Sequence, residues 1–326
     1  MAGVKYVELF EVTNRENFCE QRYLQQNQDV KKAVAEGTIE SGWKHFLRHG
    51  EKEKRSQQKL SEDYMDDLLS LRMKKYARLR KILREDINID GNEQLVLDFT
   101  DNERKEKYGF LESANVSSFF YDDLPLDIIN SNPEGLILDC GAGFRPVYYE
   151  NVVNYEIVPY PTTDVIGFAE ELPFADNSFD AVFSFAVLEH VKLPFRAAAE
   201  MSRVLKPGGT LAVCAAFLQP VHGYPHHYFN MTRMGLQALF AEEIDIEKQF
   251  VNSGTGPIWT LTWFLRRWAE ELPAREKKQF MKMKVADLVE HPFAYLEKPF
   301  VTKLPAEVNF ELASATLLVG TKKENS

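Results

Sequence analysis

The sequence predicts an α/β fold built on a parallel sheet. Three observations carry that expectation: short apolar runs, a glycine turn after the first of them, and helical stretches between. Leu136, Ile137 and Leu138 form a continuous apolar run that ends in Asp139 and breaks at Gly141 and Gly143. Such a run is a strand covered on both faces, and the glycines free the backbone behind it. Further strands are expected at 151–158, 164–167, 179–185 and 211–217, with a helix over 194–205 stopped by Pro207-Gly208-Gly209. Strands and helices alternating at this spacing imply right-handed crossovers, which put the strand ends along one ligand-bearing edge.

Ahead of that sheet, apolar residues from Phe18 to Leu47 recur at helical spacing with breaks at Gly37 and Gly50, so short helices are expected there. Residues 60–86 read as one longer amphipathic helix, with Leu68, Leu69, Met73, Tyr76, Leu79, Ile82 and Leu83 on one side and Arg72, Lys74, Lys75, Arg78, Arg80, Lys81 and Arg84 opposite. The basic side is a solvated face over the core, part of a helix pair at a homodimer contact, or a surface for anionic membranes. Residues 87–110 are a linker or a strand-bearing bridge, and 109–130 a helical cover offering Tyr108, Phe110, Asn115, Ser117 and Tyr121. A sixth strand is expected near 246–251 and a last one at 312–321. Between them residues 254–305 form a helical insertion crowded with Trp259, Trp263, Phe264 and Trp268: a lid, a contact surface, or a helix packed on the N-terminal ones. The chain divides into an N-terminal helical region, 1–86, and a second domain, 87–326.

Alone, the glycine turn is a weak signal, since the third glycine of the dinucleotide fingerprint is absent. Glu156, about seventeen residues past Asp139 near the end of the second strand, adds an acid suited to a ribose diol. The segments LDCGAG, NYEIV, AEELPFADNSFDAVFSFAVLEHV and RVLKPGGTL resemble the class I S-adenosylmethionine-dependent methyltransferases, in the branch with a short, helix-poor link between strands two and three. The resemblance covers about residues 110–250 and the last strand. It implies a Rossmann-like seven-stranded mixed sheet and S-adenosyl-L-methionine as cofactor. It further implies that Asp139, Gly141, Ala142 and Gly143 hold the methionine end, that Glu156 takes the ribose hydroxyls, and that Phe168, Ala169 and Glu170 flank the adenine, with Phe185 also in the cofactor site. Two positions depart from the family pattern: Phe168, where Asp is common and where a ring can stack instead, and Arg145, where a small residue is usual.

A second informative stretch, 222–232, reads HGYPHHYFNMT, with Thr232 a natural N-cap for a helix over 234–240. It is similar to a segment of sugar- and small-molecule-directed methyltransferases in which Asp-Tyr-x-Arg-x-Thr enters the same helix; His227, Tyr228 and Asn230 lie at its Asp, Tyr and Arg positions. The similarity implies that this loop faces the transferred methyl group. In-line displacement needs alignment and, for a hydroxyl acceptor, removal of a proton, and histidine is the base best matched to neutral pH. His227 is the first choice, His226 the second and His222 the third, with Tyr228 orienting the acceptor and Asn230 holding a substrate hydroxyl. Against this stands a loop whose histidines only cap helices or meet solvent. Glu189-His190 reads as pocket wall, and His190 and His222 are also candidate substrate contacts.

At 326 residues and 44% hydrophobic content, the chain can bury a full core and still carry appendages. A net charge of −10 argues against nucleic acid as a partner, because phosphate backbones reward clustered positive charge. Three cysteines without metal-ligand spacing fit a reduced, cytoplasmic protein, and apolar runs of at most eight residues argue against a transmembrane segment. The string YLQQNQDVKKAVAEGTIESGWKHFLRHGEKEKR is similar to a helical module on bacterial glycan-modifying and secreted proteins. Within it His45 and His49 are four apart, a spacing open to a metal, but no third ligand is evident and none is expected. The expected function is methyl transfer from S-adenosyl-L-methionine to an oxygen of a glycan or sugar-containing acceptor. The alternatives are a small-molecule or lipid methyltransferase of the same fold, or a non-catalytic scaffold that keeps the cofactor and binds a partner through its helices.

Overall fold

A computed structural model describes residues 3–87, 95–110, 118–223 and 226–314. Strands β1 (Tyr6–Glu8) and β2 (Phe10–Val12) are followed by helices α1 (Glu20–Gln26), α2 (Gln28–Ala35) and α3 (Gly42–His45), the last continuing into a π turn over Phe46–Gly50. These short helices close on Tyr23, Val30 and Phe46. β3 (Ser56–Gln58) pairs antiparallel with β2. His45 is buried and shares a hydrogen bond with the Tyr23 hydroxyl at 3.1 Å, so it serves this small core.

Helix α4 (Met65–Leu79) opens with Asp66 and Asp67, acids that suit a helix N-terminus. Its buried stripe differs from the expected one: Leu69 and Met73 are exposed, whereas Leu68, Leu71, Lys75 and Leu79 are buried. Lys75 belongs to the inner face because its ammonium meets the Asp164 carboxylate at 2.9 Å and sits 3.5 Å from the centroid of the Tyr148 ring. Asp164 also accepts from the Asn154 backbone N–H at 2.9 Å and from the Tyr148 hydroxyl. Burial brings the Lys75 pKa down to about 8, with Asp164 opposing, so the ammonium is still charged at neutral pH. Helical periodicity assigns a lysine to water by default; an acid 89 residues further along reverses that.

The stretch before the sheet bears a strand, β4 (Leu97–Asp98), then α5 (Asn102–Tyr108) and α6 (Asp123–Ser131); Asn115 and Ser117 lie outside the described residues. Next come β5 (Ile137–Cys140), β6 (Val147–Tyr149), β7 (Val152–Glu156), β8 (Val165–Ile166), β9 (Phe179–Phe185), α7 (Pro194–Val204) and β10 (Leu205–Cys214). Six strands pair in the order β10-β9-β5-β7-β8-β4, all parallel, while β6 pairs antiparallel with β1 outside this sheet. Side chains alternate across β5. Leu138 and Cys140 join Val153, Val182 and the Ala197, Ala198, Met201 stripe of α7, and Ile137 packs with Ile129 of α6, Val152 and Phe183. Helices thus cover both faces, as the continuous apolar strands require.

The expected seven-stranded mixed sheet is corrected to six parallel strands among the described residues. Residues 246–251 form no strand, and Ile246, Phe250 and Val251 are exposed. A strand there needs a neighbour on the open side of β10; residues 312–314 are not extended, and 315–321 lie outside the described residues. β10 also starts earlier than expected, with a register shift between Leu205 and Thr210 that takes in Pro207-Gly208-Gly209, and it ends at Cys214, opposite the last residue of β9.

Beyond the sheet lie α8 (Arg233–Ala238), α9 (Pro257–Glu270), α10 (Ala274–Phe280) and three short helical turns, α11 (Val285–Leu288), α12 (Pro299–Thr302) and α13 (Ala306–Glu311). Thr232 caps α8 by accepting the Gly235 N–H at 3.0 Å. The aromatic side of α9 turns Phe264, Leu265 and Trp268 onto Phe280, Leu304 and Val308, a core made by the C-terminal helices themselves and not by the N-terminal ones. Among the described residues no helix is long and apolar enough to cross a membrane.

Replacing Lys75 with methionine leaves buried Asp164 without its nearer cation, with only the Arg72 guanidinium remaining at 3.8 Å. Lys75→Met therefore lowers unfolding free energy by about 3–5 kcal/mol, whereas exposed Lys74→Met stays within about 0.5 kcal/mol, both read from urea unfolding at pH 7.

Candidate active site

The strand order reverses at β5, which has β7 on one side and β9 on the other. Parallel topology puts the carboxyl ends of β5, β7, β8, β9 and β10 on one edge, and a crevice opens outside them at such a reversal. The turn after β5 is pinned there: the N–H groups of Gly141 and Ala142 both donate to the Tyr155 carbonyl, at 2.9 and 3.0 Å. Gly141 and Gly143 adopt φ of +82° and +61°. A Cβ on Gly141 would lie 2.3 Å from Cγ2 of Val187, so the chain after β9 presses directly on the turn after β5. Glu156, the last residue of β7, accepts the Gly143 N–H at 2.7 Å and the Ile157 N–H at 2.8 Å. Burial pushes its carboxyl above the ordinary range, and those two N–H groups oppose the shift.

Asp139 is fully buried, and its Oδ2 is held by Arg145, whose Nε donates at 2.7 Å, and by the Tyr121 hydroxyl. The Arg145 guanidinium lies 3.8 Å from the Phe119 ring centroid and 4.2 Å from that of Tyr121. A residue that departs from the family pattern thereby becomes the counter-ion of the strand-end acid. Asp139 Oδ1 has no hydrogen-bond partner among the described residues, a buried acceptor left for something further. Phe168 lies 5.1 Å from the Tyr108 ring and 6.3 Å, edge-on, from Phe110, which makes an aromatic corner beside buried Ala169. Glu170 is buried, and burial raises its carboxyl against the pull of the Leu193 and Lys192 backbone N–H groups. Phe185 packs on Phe183, 5.6 Å between centroids, in the cluster with Ile129 and Ile137. Sequence reasoning missed Val187 and Phe119: only contact reveals how closely the first presses on Gly141 and that the second stacks on Arg145.

The loop after β10 returns over the turn that follows β9. Tyr228 and Phe229 donate their N–H groups to the Glu189 carbonyl at 2.7 and 3.2 Å, and Met231 donates to Ala216 at 2.7 Å. Gly223, at φ +77°, lets the backbone pass so near His190 that a Cβ would stand 2.2 Å from its Cε1. The rings of His190, His222 and His227 gather edge to face with centroids 4.5 to 5.5 Å apart. His227 accepts the His222 N–H on Nδ1 at 3.2 Å and meets Asn230 Oδ1 through Nε2 at 2.8 Å, so one neutral tautomer uses both nitrogens. The His226 ring packs on Tyr228 at 5.2 Å, and its nitrogens have no partner among the described residues. Burial lowers the pKa of His190 and of His222, which keeps both neutral at pH 7.

A family described as a methyltransferase domain matches residues 140–213. The demethylmenaquinone methyltransferase of Renibacterium salmoninarum is 55% identical over 64 residues, 19% of this chain and 27% of that protein. The protein of the same name from Paenarthrobacter aurescens is 52% identical over 62 residues, 19% of this chain and 24% of that one. The chain thus spans about a quarter of the length of the curated relatives it matches. Among solved structures, the PH0226 protein of Pyrococcus horikoshii aligns with a TM-score of 0.31 at 20% identity, covering 40% of this chain and 82% of that one.

Gly141 faces two separate obstacles to a side chain, backbone conformation and the Val187 methyls. Gly208, at φ +76° with open space around it, faces only the first. Gly208→Ala is expected to cost about 1–2 kcal/mol and Gly141→Ala clearly more. Val187→Ala added to Gly141→Ala recovers part of the difference, since the Cβ at position 187 still stands 3.1 Å away, and none of the backbone strain, as a double-mutant cycle of thermal unfolding reads out.

Proposed function

We propose that this chain is an S-adenosylmethionine-dependent methyltransferase acting on a hydroxyl of a small-molecule acceptor, a sugar-containing one in the reading its sequence favours. The observation that carries the proposal is the Gly141–Gly143 turn tied to Glu156 at the point where the strand order reverses, within the methyltransferase-domain match. The residues present fit the cofactor. Each Glu156 oxygen keeps a lone pair beyond its backbone N–H, available to ribose hydroxyls. Tyr108, Phe110 and Phe168 offer ring faces to an adenine, and the unpartnered Asp139 Oδ1 is an acceptor for an ammonium group. When bound, S-adenosylmethionine supplies an electrophilic methyl group on sulfur.

On the acceptor side the commitments of His227 favour His226 as the base. His227 is held by the His222 backbone and by Asn230, which suits it to positioning Asn230 against a hydroxyl, whereas the His226 nitrogens have no partner among the described residues. The sugar-containing acceptor rests on the resemblance of the 222–232 loop to sugar- and small-molecule-directed methyltransferases and of the N-terminal segment to a module on glycan-modifying and secreted proteins. The name shared by the Renibacterium and Paenarthrobacter relatives supports a second acceptor, demethylmenaquinone. The family match stops at residue 213, before the loop, so it informs the donor side more than the acceptor side.

Calorimetry of the purified chain with S-adenosylmethionine and S-adenosylhomocysteine is expected to show one site, weakened about tenfold or more by Glu156→Ala; absence of binding by the native chain overturns the reading. With sugar and quinone acceptors screened against labelled donor, His226→Ala is expected to retain cofactor affinity while turnover falls by about 10²–10⁴. Unchanged turnover removes His226 as the base.

A further inference from the structure

We propose that Glu189, His190 and His222 form a binding site for a divalent transition-metal ion, zinc foremost. One donor atom from each lies within 4.8 Å of the others. Donors around a zinc ion at about 2.1 Å stand roughly 3–3.5 Å apart, so side-chain rotation of an ångström or two closes the set. Among the described residues no other three such side chains gather in this way.

Three features argue that the convergence is a site and not incidental packing. Glu189 is fully buried; its Oε1 accepts the Ala216 N–H at 3.3 Å, but Oε2 has no hydrogen-bond partner among the described residues. A buried carboxylate oxygen in that condition is costly unless a cation answers it. Second, the two imidazoles are oriented alike. His190 Nδ1 lies 2.7 Å from the His226 carbonyl and His222 Nδ1 lies 3.0 Å from the Pro220 carbonyl. A carbonyl only accepts, so each Nδ1 carries the hydrogen and each Nε2 is left with a lone pair. Backbone carbonyls holding the far nitrogen are the usual outer support of metal-ligating histidines. Third, Gly223 leaves open the space that a Cβ would fill 2.7 Å from His190 Nε2.

His227, the third ring of the group, has both nitrogens committed and is not a ligand. The donor set is therefore two imidazoles and one carboxylate, which suits zinc and its neighbours and leaves a coordination position for an outside oxygen. The inference rests on these contacts and not on the methyl-transfer reading; if both hold, the open position is where an acceptor oxygen is received.

The test titrates the chelator-stripped full chain with zinc by calorimetry and with cobalt(II) by visible absorption. One equivalent is expected, with cobalt ligand-field bands, and Glu189→Gln and His222→Ala each weaken it at least about tenfold, while His49→Ala on the N-terminal module changes nothing. Circular dichroism melts of the same samples show whether Glu189→Gln folds; if it does not, the partly exposed His222→Ala decides alone. No cobalt spectrum in the native chain, or equal affinity in His222→Ala, overturns the site. S-adenosylmethionine binding measured on the same preparations separates failure of this site from failure of the methyl-transfer reading.

Discussion

Buried carboxylates along the strand ends of the sheet dictate how the segments around it are held. Asp139, Asp164 and Glu189 are within 1% of complete burial, and a carboxylate so placed must find donors or cations nearby. Asp164 finds Lys75, Tyr148 and the Asn154 backbone, and so binds helix α4 to the sheet. Asp139 finds Arg145 and Tyr121, and so folds the segment after the glycine turn back over β5. Half-buried Glu156 is answered by the backbone of the turn itself. Glu189, like Asp139, is answered on one oxygen only.

These anchors meet a backbone that turns sharply at the same edge. Ala186 follows β9 directly and has φ of +57°, a left-handed conformation that costs an alanine about 1–2 kcal/mol. Its N–H is held by the Cys214 carbonyl at 2.9 Å, so the end of β10 maintains the turn. The outcome is that Val187 lies over Gly141 and Glu189 faces inward. Strand order reverses at β5, and strain of this kind, which persists where surrounding structure over-determines it, lies at the end of the neighbouring β9.

The histidine-rich loop shows how hydrogen bonding divides chemically identical side chains. His227 has both nitrogens engaged, His190 and His222 each have one engaged by a carbonyl, and His226 has neither engaged among the described residues. Spacing along the chain cannot rank them, because the ranking comes from partners at Pro220, Asn230 and the backbone of His226 itself.

What the sequence determined by itself is what short-range pattern controls. The run at 179–185 is the strand β9, Gly141 and Gly143 turn the chain after β5, and Thr232 caps α8, since each depends on neighbours a few residues away. Tertiary structure decided the rest. Lys75 faces inward only because Asp164 is there, residues 246–251 form no strand and have none to pair with among the described residues, and the aromatic residues of α9 find their cover in the helices that follow. Arg145 folds back as the partner of Asp139, and the loop after β10 brings His222 within 4.8 Å of Glu189. Burial and pairing between distant segments set these outcomes, and the periodicity of a single segment contains no information about which distant group will answer a buried charge.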